Sequence, residues 1–193
     1  MMTNTSTAPF SAQMLPPLSF DTATLRARAR ECSKVPLRRG GSLVELVIVG
    51  VATCLGEQAA GGWVGRASGA GGLGGRAGGK STAVLWGSMA GIRAATARIV
   101  TDLVLAGETP LPFDFLATQP ILAAVPLQQS FPCIENVLYQ PWNDDTELHW
   151  RRMRTLAVSW LQTGRYARVL CGQVEPDDDE HHGQWQIFEK CRN

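Results

Sequence analysis

At 193 residues, 45% hydrophobic and 18% charged, the chain is long enough for one domain with a substantial core and too apolar to be disordered. A formal net charge of +1 gives no global field for nucleic acid or an anionic membrane, and no apolar run reaches the roughly 18 residues that a membrane-spanning helix needs. Cys32, Cys54, Cys133, Cys171 and Cys191 are odd in number and form no C-x-x-C pair, so they read as reduced thiols of a cytoplasmic protein rather than a disulfide framework.

Residues 1–42 read as an extended arm. Residues 1–20 carry no charged side chain and contain Pro9, Pro16 and Pro17, and one short basic helix is expected at Leu25–Cys32. The order of charge and apolarity is not that of a secretory signal. Leu43–Ala52 is an almost continuous run of Val, Leu and Ile, which suggests a strand buried on both faces. A glycine tract over 61–79 reads as a flexible loop. Thr82–Trp86 is a second apolar strand, entering the small-residue turn Gly87-Ser88-Met89-Ala90-Gly91.

Met89, Ile92, Ile99, Val100, Leu103 and Val104 then recur near helical spacing, with Gly107 as a stop. Leu116–Val125 is a short helical segment interrupted by Pro120, and Cys133–Gln140 is a strand closed by Pro141. The clearest helix is Thr146–Thr163. Asn143, Asp144 and Asp145 supply a cap and negative charge at its start. Leu148, Met153, Leu156, Ala157, Trp160 and Leu161 form its apolar stripe, and Gly164 ends it. The strand Arg168–Val174 follows directly. Asp177–His182 reads as an acidic loop, and Gln184–Cys191 as one added edge strand. Strand, helix, strand alternation implies an α/β layered sheet with right-handed crossovers.

Three apolar segments stand in a particular order: Leu46–Gly56, Thr82–Gly91 and Ala167–Glu175. That order resembles the N-terminal half of the β-ketoacyl synthases of the thiolase superfamily. There a first strand ends in a G-x-G-x-x-[ST]-x-x-G-like run, a second precedes a G-[ST]-x-x-G-like turn, and the last ends in an A-G-G-x-E-like run. The resemblance implies an α/β, layered thiolase-like half-fold, with a mixed central sheet covered by helices. It covers roughly residues 44–176 and implies a domain over 43–176, with 177–193 as acidic loop and tail.

In the family resembled, a nucleophilic Cys sits at the N-terminus of the helix preceding the last strand, where helix-end N–H groups stabilise its thiolate. Counting back from Gly164 puts that place near Thr146 and Glu147, and no Cys is there. The two catalytic His of the family belong to a second half that this chain does not show. The adjacent His181 and His182 do not match them. The resemblance therefore implies a divergent ketoacyl-synthase-like protein akin to chain-length factors, without independent condensing activity or a cofactor. It would act as an accessory partner or scaffold in fatty-acid, polyketide or aryl-polyene-type biosynthesis.

Its expected partners are a second copy of itself, a ketosynthase-like protein, or an acyl carrier protein. Arg151, Arg152 and Arg154, with Leu148, Met153, Leu156 and Trp160, are the candidate contact residues. Arginine suits an acidic carrier because it makes bidentate contacts with carboxylate and phosphate. One alternative is an acyltransferase or condensing enzyme that uses a residue other than Cys.

A second alternative is nucleotide binding. Gly74-Gly75-Arg76-Ala77-Gly78-Gly79-Lys80-Ser81 fits the phosphate-loop pattern G-x-x-x-x-G-K-[ST], which would use Gly74, Gly79, Lys80 and Ser81. Its context is reversed, because a glycine tract leads in and a strand leads out. The run Asp177–His182 offers metal donors, but consecutive residues rarely converge on one centre, so no metal site is expected.

Overall fold

The computed structural model describes residues 10–37, 41–56, 81–89, 91–109, 118–142, 145–177 and 179–191. The expected loop over 61–79 lies outside them. Six strands form one mixed sheet: β1 (Phe10–Met14), β2 (Leu18–Asp21), β3 (Thr82–Gly87), β4 (Ile134–Tyr139), β5 (Arg168–Pro176) and β6 (Glu180–Lys190). β3 lies between β4 and β5 and is parallel to both. β6 runs antiparallel to β5 on one side, and to β1 and β2 on the other. The expected α/β class and mixed, helix-covered sheet are those observed.

Among the described residues the α-helices are α1 (Thr22–Cys32), α2 (Gly41–Leu55), α3 (Gly91–Val104), α4 (Ala124–Ser130) and α5 (Thr146–Gln162). A strand's side chains alternate between faces, so Val84 and Trp86 of β3 join the core beneath α1, α2 and α4, while Ala83 and Leu85 join the core beneath α5. The sheet thus carries two apolar layers, one on each side. No helix among the described residues is long and apolar enough to cross a membrane.

Leu43–Ala52 is not a strand. It is the body of α2, and every residue from Leu43 to Val51 is buried. α2 lies between α1 on one side and β5 and β6 on the other. A helix covered all round needs no polar face, so its sequence loses the period that marks a helix. Gly50 marks the close approach, since a Cβ there would fall inside the Trp185 indole. The glycine run expected at a strand end is therefore on a helix.

Two further expectations change. Gln184–Lys190 of the expected edge strand belong to β6, which has neighbours on both sides and begins at Glu180, so most of the expected loop and tail over 177–193 is interior strand. His181 is buried in it. Within the arm, β1 and β2 pair with β6, and α1 follows with Asp21 as its cap, the carboxylate accepting Thr24 N–H at 2.9 Å. The polar alternation of Ser11, Ala12 and Gln13 is that of strands exposed on their side-chain faces. Near Pro120 a short 3₁₀ turn covers Pro120–Ala123, and the α-helix begins only at Ala124.

Candidate functional site

In open α/β sheets, chemistry gathers outside the C-terminal ends of parallel strands. Here those ends belong to β3, β4 and β5. The turn after β3 is clamped by the last part of β5. Glu175 Oε1 accepts Met89 N–H at 2.7 Å, and its Oε2 accepts the Ser88 hydroxyl at 3.2 Å. Ser88 Oγ in turn accepts Gly91 N–H at 2.8 Å and so caps the start of α3. The Tyr139 hydroxyl, from β4, donates to the Ser88 carbonyl at 3.2 Å. Ser88 is buried and engaged as both donor and acceptor. A hydroxyl so held is a structural cap and not a free nucleophile.

On the α5 side, the imidazole of His149 lies flat against Trp142, with ring centroids 4.7 Å apart and planes 4° from parallel. The ring faces Gly87, where a Cβ would come within 2.8 Å of Nε2 and Cε1. Only glycine admits it there. Nε2 is buried and has no hydrogen-bond partner. Burial, and secondarily the positive charge of Arg152, hold the His149 pKa below its ordinary 6.5, so the ring is neutral at pH 7. Next to it the Trp150 indole N–H donates to Gln173 Oε1 at 3.0 Å and ties α5 to β5.

The place expected for a nucleophile is the first turn of α5. Thr146 and Glu147 are exposed there. One N–H of that turn is taken by the chain's own carboxylate: Asp145 Oδ1 accepts Leu148 N–H at 2.8 Å. A donor that could help to steady a thiolate or an oxyanion is thus used by the helix cap. Cys133 precedes β4, and Cys54 and Cys171 are buried, with pKa values pushed far up by desolvation.

The candidate contact residues on α5 separate into two groups. Arg151 and Arg152 are exposed and border a shallow depression with Thr155 and Leu156. Leu148 is 38% exposed. Arg154 turns inward and its Nε donates to Gln186 Oε1 at 3.3 Å. Met153 and Leu161 are fully buried against β3 and β5, and Leu156 and Trp160 pack partly against the same layer. Of these apolar candidates the sheet covers Met153 fully and Leu156 and Trp160 partly, and Leu148 is exposed.

Of the phosphate-loop residues, Gly74, Gly79 and Lys80 lie outside the described residues. Ser81 precedes β3, and its carbonyl accepts Ala167 N–H at 2.9 Å, so the residue leads into a strand instead of a helix. His181 Nε2 lies 3.0 Å from Thr22 Oγ1, while His182 and Glu180 face solvent 3.7 Å apart. Two elements of the site were quoted in the sequence without their contact: Ser88 in the turn and Glu175 at the strand end. A serine in a glycine-bounded turn and an acid closing a buried strand are the available signal. His149 against Gly87 carried none, because it depends on how α5 crosses β3.

No family model and no curated protein matches the chain. Among solved structures, a chain in the complex of the ketosynthase ApeO with its chain length factor ApeC, from Xenorhabdus doucetiae, superposes with a TM-score of 0.54 at 13% identity. The superposition covers 94% of this chain and 80% of that one. At that identity the likeness is one of fold, and the fold is ketosynthase-like. Because it takes in four-fifths of the other chain, this protein is not half of that neighbour.

Proposed function

We propose that the chain is an accessory, non-condensing ketosynthase-like protein that pairs with a condensing enzyme in the manner of a chain length factor. The observation that carries this reading is the first turn of α5. Where the condensing enzymes resembled hold a thiolate, this chain holds the carboxylate of Asp145, already bonded to the helix's own N–H. The buried cap made by Ser88 and the buried thiols of Cys54 and Cys171 support it. The fold shared with a chain of a ketosynthase–chain length factor complex supports the pairing. The pathway served is of the fatty-acid, polyketide or aryl-polyene type.

The partner is a ketosynthase-like protein, or a second copy where no such protein is present. Arg151 and Arg152 are the exposed cations that an acidic acyl carrier would meet. Reconstitution tests the reading. A ketosynthase of the aryl-polyene type, acyl carrier and malonyl carrier are combined with and without this chain. Alone, the chain should give no elongation. Added to the ketosynthase it should co-sediment with it and raise the rate or change the product length. Elongation by the chain alone, or no association with any ketosynthase and no effect on one, would overturn the proposal.

A further inference from the structure

A cavity of about 270 Å³ lies on the sheet face opposite α5, between α1, α2 and β2. Its walls are apolar: Leu18 and Phe20 from β2, Val49 and Ala52 from α2, and Phe131 just after α4. Thr53 also lines it, but its hydroxyl donates to the Val49 carbonyl of its own helix at 2.9 Å. Protein interiors are closely packed, and voids much larger than a water molecule are few. Water in such an apolar space finds few partners, whereas an apolar group gains by entering it. A cavity of about 150 Å³ already admits benzene, so this one has room for an aromatic ring with several further atoms.

The mouth of the cavity is charged. Arg28 and Glu31 lie three residues apart on one face of α1 and line the same cavity, with 50% and 61% of their side chains exposed. Arg28 Nη1 is 3.4 Å from Glu31 Oε2. An exposed pair of this kind contributes little to the fold, and a guanidinium has more N–H donors than one carboxylate uses. A cation and a carboxylate thus stand side by side above an apolar hole. A fatty acid entering it would set its own carboxylate beside Glu31, and an amine would set its ammonium beside Arg28. The complement of the mouth is a molecule whose ammonium and carboxylate flank the one carbon that carries an apolar group.

We propose that this cavity binds a free aromatic α-amino acid. Its carboxylate lies on Arg28, its ammonium on Glu31, and its ring enters between Phe20 and Phe131, which favour an aromatic partner. This assignment is independent of the pairing proposed above, since it uses the other face of the sheet.

Calorimetry on the full chain tests it with L-phenylalanine, L-alanine, N-acetyl-L-phenylalanine, L-phenylalaninamide and octanoate. L-Phenylalanine should bind saturably and about tenfold or more tighter than L-alanine, the difference expected of one buried aromatic side chain. The N-acetyl and amide derivatives, each lacking one charge, should bind about threefold more weakly, as suits exposed ion pairs. Arg28→Gln should erase the preference for L-phenylalanine over its amide, and Glu31→Gln the preference over the N-acetyl derivative. Ala52→Phe, which fills the cavity, should abolish binding. Should Ala52→Phe fail to fold, the two variants at the mouth still decide, because their side chains are exposed. No saturable binding of L-phenylalanine at millimolar concentration, equal binding of L-alanine, or preferences unmoved in either mouth variant would overturn the proposal. Octanoate binding as tightly as L-phenylalanine would overturn it too, by showing a site for simple apolar anions.

Discussion

α2 and α5 pack on opposite faces of the same sheet and are built in different ways. α2 buries a continuous run from Leu43 to Val51 and is enclosed by α1, β5 and β6. α5 buries His149, Trp150, Met153, Ala157 and Leu161, a stripe one or two positions wide, and turns Arg151, Arg152 and Leu148 to solvent. The first is core, with Glu45 the one polar side chain between Leu43 and Val51. The second divides its length between core and surface and holds its capped N-terminus beside the strand ends. Stability should therefore depend on α2 along its whole length, and on α5 only along its stripe.

The largest effects should come from truncation in the two apolar layers. Leu46→Ala on α2 and Met153→Ala on α5 remove side chains that are fully buried. Each should cost about 3 kcal/mol, read from urea denaturation. An effect below about 1 kcal/mol at Met153 would mean that α5 is not seated on the sheet as described. Next comes the clamp at the strand ends. Glu175→Gln weakens charge-assisted bonds to Met89 N–H and Ser88, and should cost about 1.5 kcal/mol. Ser88→Ala should lose a similar amount, because it removes the Gly91 cap as well.

A smaller effect is set by pH. The folded pKa of His149 lies below its unfolded value of 6.5, so the unfolded chain binds the proton more readily. The stability due to the neutral ring is fully present above pH about 6.5 and is lost progressively as pH falls through the folded pKa. The urea midpoint should fall between pH 7 and pH 5. The fall should be shallower in His149→Phe, which keeps the stacking on Trp142. An equal slope in the two proteins would remove His149 from the account. The smallest effect is expected on the outer face of α5, where Leu148→Ala should change stability by less than about 0.5 kcal/mol.

The same contrast explains what could be read from the sequence. The α5 stripe at Met153, Ala157 and Leu161 keeps its period because the helix has a wet side, and Asp145 announces the cap. β3, β4 and β5 are legible as short apolar runs bounded by Gly, Pro or a polar turn. α2 is not legible as a helix, because Leu43 to Val51 is apolar at every position but Glu45 and Gly50. Periodicity cannot separate an enclosed helix from an enclosed strand. β1 and β2 are hidden for a different reason. Their pairing with β6 joins residues such as Phe10 and Lys190 across nearly the whole chain, and no local pattern encodes it. The site divides in the same way. Ser88 and Glu175 are visible as motif ends, but their contact is made by the parallel register of β3 and β5. The place of His149 is made by the packing of α5 against Gly87.

The central claim is that the first turn of α5 is closed by Asp145 and forms no acyl-enzyme. Intact-protein mass measurement after incubation with acyl carrier protein bearing a labelled acyl chain tests it most directly. The account predicts an unchanged mass for the wild-type chain and no label after acid quench. A stoichiometric acyl adduct, mapped by peptide digestion to any residue of the strand-end site, would contradict it.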